Sequence, residues 1–549
     1  MSGRVMVIGL DSATFKLIEP FMCDGYLPNL DNLTKNGVSC ILKSTIPPIS
    51  PPAWTTFLTG MNPGKHGIFQ FVDMDVSDYN FLSNRIINST LFAGNTFIDF
   101  ISSNGLKVGI VKIPFTYPPW KVNGFMIAGE PSPDWQKAHT YPPELSDELG
   151  KVNYGSGSDF IKYSVEELLK HLQFDSNVRT MVACDMMGKE QYDFFMVVHN
   201  IIDAACHRLW KYTDPSCPNY KKSFAKYSDV IRDVYIEADK SIGKILENMG
   251  DGTTVFIMSD HGAARKPLHF FNINAWLAEK GYLQFNESKS IKNMLFSLLT
   301  EIKYVIPPVV RHMISHTIKR HFMKRVSGLQ TSAANIDWCR TKAYSVDLYT
   351  TIAGIALNLN GRQKFGIVEQ GRESELMCEE IKSNLLGITD PKTGIKVIEN
   401  VFRREDIFRG PSLEKMPELI VQFNGDYQRA KRQKLPLFSD VNPSDFDYQS
   451  GDHDEDGIFI AYGKNIKKGM KLDYAHIQDM APTILYAMGL PVPDDMDGKV
   501  MLDTFEESFT RQNTVGTVKL DKDKKTASRT LTEDESDKIK EQLKGLGYM

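Results

Sequence analysis

The sequence predicts an α/β fold in which a large, mainly parallel central sheet is sandwiched by helices and carries an inserted helical cap. Three observations lead there. Short β-branched runs alternate with longer amphipathic stretches from the first residues onward. Asp and His residues stand just beyond several of those runs, where open α/β sheets keep their chemistry. One long, strongly basic stretch interrupts the rhythm.

The strands are expected at Val5 to Leu10, Val38 to Leu42, Val108 to Ile113, Phe194 to Val198, Thr254 to Met258, Leu419 to Phe423 and Ile458 to Ala461. Helices are expected at Leu30 to Asn36, Val165 to Leu172, Tyr227 to Asn248 and Ile477 to Met488, the last ended by Gly489 with Pro491 just beyond. The basic stretch from 284 to 330 holds eight Lys or Arg against Glu287 and Glu301, interleaved with Leu, Ile and Phe. It reads as the solvated face of a helical cap or as a peripheral contact with an anionic surface. The expected division is a catalytic core over 1–283 and 335–508, a cap over 284–334, and a linker with a C-terminal helix, Glu533 to Leu546, over 509–549.

At 549 residues, with 42% hydrophobic, 11% aromatic and 24% charged residues, the chain can bury a sizeable core, which excludes a short binding module and general disorder. Lys and Arg number 64 against 68 Asp and Glu, for a net charge of −4, so no global field exists to gather nucleic acid. The seven cysteines are scattered and never spaced as CxxC, which points to reduced thiols and a cytoplasmic location. No run of about 18 apolar residues would span a membrane.

The chemistry gathers in pairs that no core needs. Asp260 and His261 follow the buried run Thr254 to Met258, and Asp203 and His207 follow Phe194 to Val198 at a spacing that puts both on one helix face. Asp11 ends the first strand, and His453 lies in the acidic loop before Ile458. Each alone is more often a cap or a satisfied turn residue. Together they supply three Asp and three His, a donor set for borderline divalent metals such as zinc. Ser50, before Pro51 and Pro52, either caps the helix that follows or presents its hydroxyl to an anion there.

In order and context, Gly9-Leu-Asp11, Ser50-Pro-Pro-Ala-Trp-Thr-Thr-Phe-Leu-Thr-Gly60 with Met61 to Gly67, Asp203-x3-His207, Ser259-Asp-His-Gly262 and His453 resemble the type I phosphodiesterase/nucleotide pyrophosphatase family of the alkaline phosphatase superfamily. The resemblance implies an alkaline phosphatase-like fold and two divalent metal ions, Zn²⁺ or Mn²⁺. One would be held by Asp11, Asp260, His261 and the Ser50 oxygen, the other by Asp203, His207 and His453. It further implies hydrolysis of a small-molecule phosphate ester by attack of Ser50 on phosphorus and a covalent phosphoryl-enzyme intermediate. The family's nucleophile is usually threonine, and its asparagine 21 residues later, which helps to hold the phosphate, falls here on Phe71. Another donor, Lys65, Lys112 or Arg265, is then expected to hold the anion. Ser50-Pro-Pro-Ala-Trp54 lacks the arginine of the sulfatase pattern. A phosphotransferase or mutase on the same core, or a non-catalytic binding protein, are the competing classes.

Overall fold

Nine strands form the central sheet of the computed structural model, in the order Met470–His476, Val38–Lys43, Asp456–Tyr462, Thr254–Met258, Val5–Leu10, Phe194–His199, Val108–Val111, Gly124–Ile127 and Thr140–Tyr141. The structure describes residues 3–134, 139–150, 163–286, 336–430, 435–520 and 530–546. Only Asp456–Tyr462 and Thr140–Tyr141 run against their neighbours; the five strands between them are parallel. Side chains alternate across the pleat, so Val5 and Val7 enter one core while Met6, Ile8 and Leu10 enter the other. Helices Ser50–Thr59, Phe97–Ser103 and Met480–Ala487 cover the first face, and Pro28–Lys35, Val165–Lys189, Ile201–Thr213 and Val230–Asn248 the second. This is the expected layered α/β architecture.

All seven expected runs are strands, but Leu419–Phe423 belongs elsewhere. It pairs antiparallel with Ile352–Leu357 and Ile398–Arg403 in a four-stranded sheet completed by Ala343–Asp347. With the helix Arg372–Leu386, this sheet buries its own apolar cluster, in which Ile355, Leu357, Ile381, Leu385, Leu419 and Val421 are inaccessible. The segment assigned by sequence to the second half of the core, 335–508, therefore holds a small antiparallel subdomain before the chain returns to the main sheet at Asp456. The basic cap lies outside the described residues from 287 to 335; on either side of it Phe285 and Ile336 pair antiparallel, so the chain leaves and re-enters at one place.

The helix expected at Val165 to Leu172 runs on to Lys189, and that expected from Ile477 is a 3₁₀ turn to Asp479 followed by an α-helix, Met480–Ala487. The stretch read as a linker from 509 begins inside a helix, Glu507–Gln512, and contributes Thr517–Val518 to a two-stranded pair. The terminal helix is Glu533–Leu546 as expected, with Ile539 and Leu543 buried in the first core. All seven cysteines are unpaired. Among the described residues, no helix is long and apolar enough to cross a membrane.

Candidate active site

The parallel register aligns the carboxyl ends of three neighbouring strands, with Leu10 opposite His199 and Gly9 opposite Met258. Asp11 emerges from the first, the helix Ile201–Thr213 starts beyond the second, and the turn Ser259-Asp260-His261 leaves the third. Ser259 fixes that turn: its hydroxyl donates to Ala13 O at 2.8 Å and accepts from the Ile458 amide at 2.8 Å. The chain then reverses into Gly262–Arg265, which pairs antiparallel with Gly451–Asp454 and sets Ala263 opposite His453. That ladder brings the last histidine to the others from almost 200 residues away in sequence.

The six expected ligands converge. Asp260 Oδ2 and Asp11 Oδ1 lie 3.2 Å and 3.7 Å from His261 Nε2. Asp203 Oδ1 lies 3.2 Å from His207 Nε2 and 3.5 Å from His453 Nε2, and the two imidazoles are 2.9 Å apart. Asp11, Asp260 and His261 are buried, whereas the side chains of Asp203 and His207 keep 16% and 13% of their exposure and face the mouth. Asp11 Oδ1 and both oxygens of Asp260 are buried without a hydrogen-bond partner. A lone buried carboxylate is expensive, so this donor set fits cations.

Electrostatics agree with that reading. Burial and the nearby charges of Asp260 and Asp203 raise the Asp11 carboxyl well above its ordinary range. Burial also raises Asp260. For Asp203 burial opposes ionisation, yet His207 and His453 outweigh it and hold the carboxyl well below the usual value. Burial lowers His261 and His453 to about 4, leaving neutral imidazoles able to act as ligands; His207 is raised to about 9 because Asp203 overcomes its burial.

Ser50 is the first residue of the helix Ser50–Thr59, not its cap. Ile49 holds the cap position, no side chain caps the helix, and the first amide hydrogen beyond Pro51 and Pro52, that of Ala53, goes to Ile49 O at 3.1 Å. The Ser50 hydroxyl instead lies 3.3 Å from His261 Nε2. Of the two roles open to Ser50 in the sequence, the cap is removed.

The three expected anion holders are committed elsewhere. Lys65 donates to Asp497 at 2.8 Å and to Asp495 O at 2.6 Å. Lys112 is buried against Glu130 at 3.0 Å, and Arg265 pairs with Asp426 at 2.5 Å. Phe71 is buried in the core beside Phe115 and offers no donor. Three neighbours escaped sequence reasoning. Ser12, at the left-handed φ of 67°, donates to Asp203 Oδ1 at 2.8 Å; Asp452 accepts from the His453 amide at 2.9 Å; and Tyr349 stacks on the His453 ring. Adjacency to Asp11 and His453 could have flagged the first two. No local signal marks Tyr349.

Residues 5–456 match the family model of type I phosphodiesterase/nucleotide pyrophosphatase. The chain belongs to that family. It is a phosphoric ester hydrolase of the alkaline phosphatase superfamily, and the two-metal chemistry of type I phosphodiesterases suits the donors gathered here. Among solved structures, phosphonoacetate hydrolase from Sinorhizobium meliloti in complex with phosphonoformate aligns with a TM-score of 0.50 at 14% identity, over 88% of this chain and 95% of that one. Murine ectonucleotide pyrophosphatase/phosphodiesterase 5, in an inactive form with AMP, aligns with a TM-score of 0.46 at 11% identity, over 93% of this chain and 99% of that one. Comparison with curated protein sequences gave no match. Phosphonoacetate hydrolase shares the fold of this chain.

Proposed function

We propose that this phosphodiesterase hydrolyses small-molecule phosphate esters with Ser50 as nucleophile, through a covalent phosphoryl-serine. The observation that carries the reading is the Ser50 hydroxyl, one residue inside the helix whose cap position Ile49 holds and set 3.3 Å from His261 Nε2 beside buried carboxylate oxygens that lack hydrogen-bond partners. Asp11, Asp260 and His261 would hold one divalent cation and Asp203, His207 and His453 a second, with zinc or manganese suited to such nitrogen and oxygen donors. When bound, the cations supply Lewis acidity and neutralise charge on the transferring phosphoryl group.

Ser50 Oγ releases its proton to water and forms the new bond to phosphorus as the bond to the leaving alkoxide breaks, the alkoxide taking up a proton from water and departing as the alcohol, and the helix Ser50–Thr59 directs its positive end at the developing charge. Ser12 holds the Asp203 carboxylate in place. Water entering from the mouth, where Asp203 and His207 are partly exposed, then displaces Ser50 from phosphorus and releases phosphate or a monoester. The seven unpaired cysteines support a reducing, cytoplasmic setting for the reaction.

The test is turnover of metal-reconstituted enzyme on a panel of chromogenic phosphomonoesters, phosphodiesters, phosphonates and sulfate esters. Ser50→Ala should keep fold and metal content while kcat on the preferred phosphate ester falls by about three orders of magnitude or more. Near-normal turnover in that variant refutes the nucleophile.

A further inference from the structure

His453 is the ligand brought from farthest along the chain, and its imidazole is sandwiched. On one face His261 stacks at 3.8 Å between ring centroids with planes 22° apart; on the other Tyr349 stacks at 5.2 Å and 23°. The third contact in its plane is a hydrogen bond between Nδ1 and Pro48 O at 2.9 Å, which directs Nε2 toward Asp203 and His207. Tyr349 belongs to neither the central sheet nor the strand Gly451–Asp454 that carries His453. It sits at the tip of the hairpin between Ala343–Asp347 and Ile352–Leu357, in the antiparallel subdomain.

Two features make this contact more than incidental packing. The Tyr349 hydroxyl donates to Asp452 Oδ1, the same oxygen that accepts the His453 amide at 2.9 Å, so one side chain fixes both the ring and the backbone of His453. The tip itself is rigidly seated: Tyr349 N donates to Ile352 O at 2.8 Å, Phe423 N to Thr351 O at 3.0 Å, and Arg429 N to Thr350 O at 3.1 Å. Tyr349 also packs against both the first core of the main sheet and the core of the subdomain.

We propose that Tyr349 is a positioning residue for the second cation site, through which the antiparallel subdomain completes the ligand set Asp203, His207 and His453. The inference rests on the two-cation reading above. The ring packs on the His453 imidazole and the hydroxyl anchors the Asp452–His453 peptide; losing either removes one of the restraints that, with His261 and Pro48, set the ring's orientation. Outer partners of metal-binding histidines typically set affinity by about 10- to 100-fold.

The experiment titrates metal-free wild-type, Tyr349→Phe and Tyr349→Leu proteins with Zn²⁺ by calorimetry, and records the visible spectrum of each with Co²⁺. Tyr349→Leu should bind one equivalent as wild type does and the other at least about tenfold more weakly, with a changed cobalt spectrum. Tyr349→Phe, which keeps the ring, should show a smaller loss. With a chromogenic phosphodiester, kcat at limiting zinc should fall and recover with excess zinc, while KM at saturating zinc stays put. Two wild-type affinities and an unchanged cobalt spectrum in both variants overturn the proposal, and so does a rise in KM without weaker metal binding, which would make Tyr349 a substrate contact. Should Tyr349→Leu fail to fold, Tyr349→Phe decides alone. A wild-type protein that binds fewer than two equivalents refutes the two-cation reading and this inference with it, whereas two wild-type equivalents with unaltered variants refute this inference only.

Discussion

Gly451 opens the strand that carries His453, and replacing it with alanine should separate the two halves of the second ligand set. A Cβ at this position would lie 2.2 Å from Cys206 O and 3.4 Å from His207 N, both backbone atoms of the helix Ile201–Thr213. Ordinary contact is about 3.5 Å, so strand and helix must part by roughly 1 Å. Backbone conformation adds no strain, because Gly451 is not among the residues with positive φ. His207 moves with the helix and His453 with the strand, and their facing nitrogens now stand 2.9 Å apart. A misplacement of about 1 Å in a catalytic constellation can cost about 100-fold in rate, and forcing an extra methyl into a packed contact typically costs about 1–3 kcal/mol. The assay is kcat on a chromogenic phosphodiester together with zinc stoichiometry, with folding checked by circular dichroism. Gly188→Ala is the control: its Cβ would meet nothing within 4 Å, in the last turn of the helix Val165–Lys189, so activity should hold. Wild-type rate and metal content in Gly451→Ala would refute the claim that this close approach sets the site.

Chelation should abolish turnover, restored by Zn²⁺ or Mn²⁺, and should lower the melting temperature by removing ligands that stabilise the folded state by about 2.7 kcal/mol at 100 times Kd; full activity after exhaustive chelation would contradict a metal role for the cluster. The ion pair just past the carboxyl ends of Val108–Val111 and Gly124–Ile127 predicts a pH dependence of its own: burial would raise Glu130, but Lys112 and Arg179 outweigh it and hold its carboxyl at about 2, below the ordinary 4.5. A depressed carboxylate stabilises the fold above pH 4.5 and loses that contribution as pH falls toward 2, so Glu130→Gln should cost at most about 3 kcal/mol at pH 7, less after solvent screening of a side chain that keeps 32% exposure. Urea unfolding at pH 7 and pH 3 checks the sign: an equal gap between mutant and wild type at both values would contradict it.

Sequence made part of the cluster legible because two of its members are polar residues just after an apolar run, where a core cannot use them. Asp11 after Val5–Leu10 and Asp260 after Thr254–Met258 are of this kind, and the i, i+4 spacing of Asp203 and His207 survives as a contact of 3.2 Å. The antiparallel subdomain stayed hidden for a physical reason. Ile352–Leu357 is short and buried throughout, so it lacks the alternation of a half-exposed strand, and Ile398–Arg403 breaks register at Ile398/Asn400. Without that sheet no sequence pattern could place Tyr349, which meets Asp452 across 103 residues. The Ser50 alternatives needed coordinates too, since both readings use the same residues.

The three expected anion holders show what charge counting leaves out. Sequence reveals that Lys65, Lys112 and Arg265 are cationic but not that Asp497, Glu130 and Asp426 already hold them. Beside Ser50 stands His261, lowered to about 4, and around His261 gather Asp11, Asp260 and Asp203, of which His207 and His453 hold Asp203 ionised while burial raises the other two. Those side chains offer a phosphate little positive charge of their own. The same carboxylates draw divalent cations strongly, and a pair of dications turns the local charge from negative to positive or neutral. On the proposed two-cation reading, the cations would serve binding as well as chemistry and stand in for the family's asparagine. It follows that partial depletion of metal should raise KM for a phosphate ester as well as lower kcat, whereas a site with its own lysine or arginine anchor would lose kcat alone.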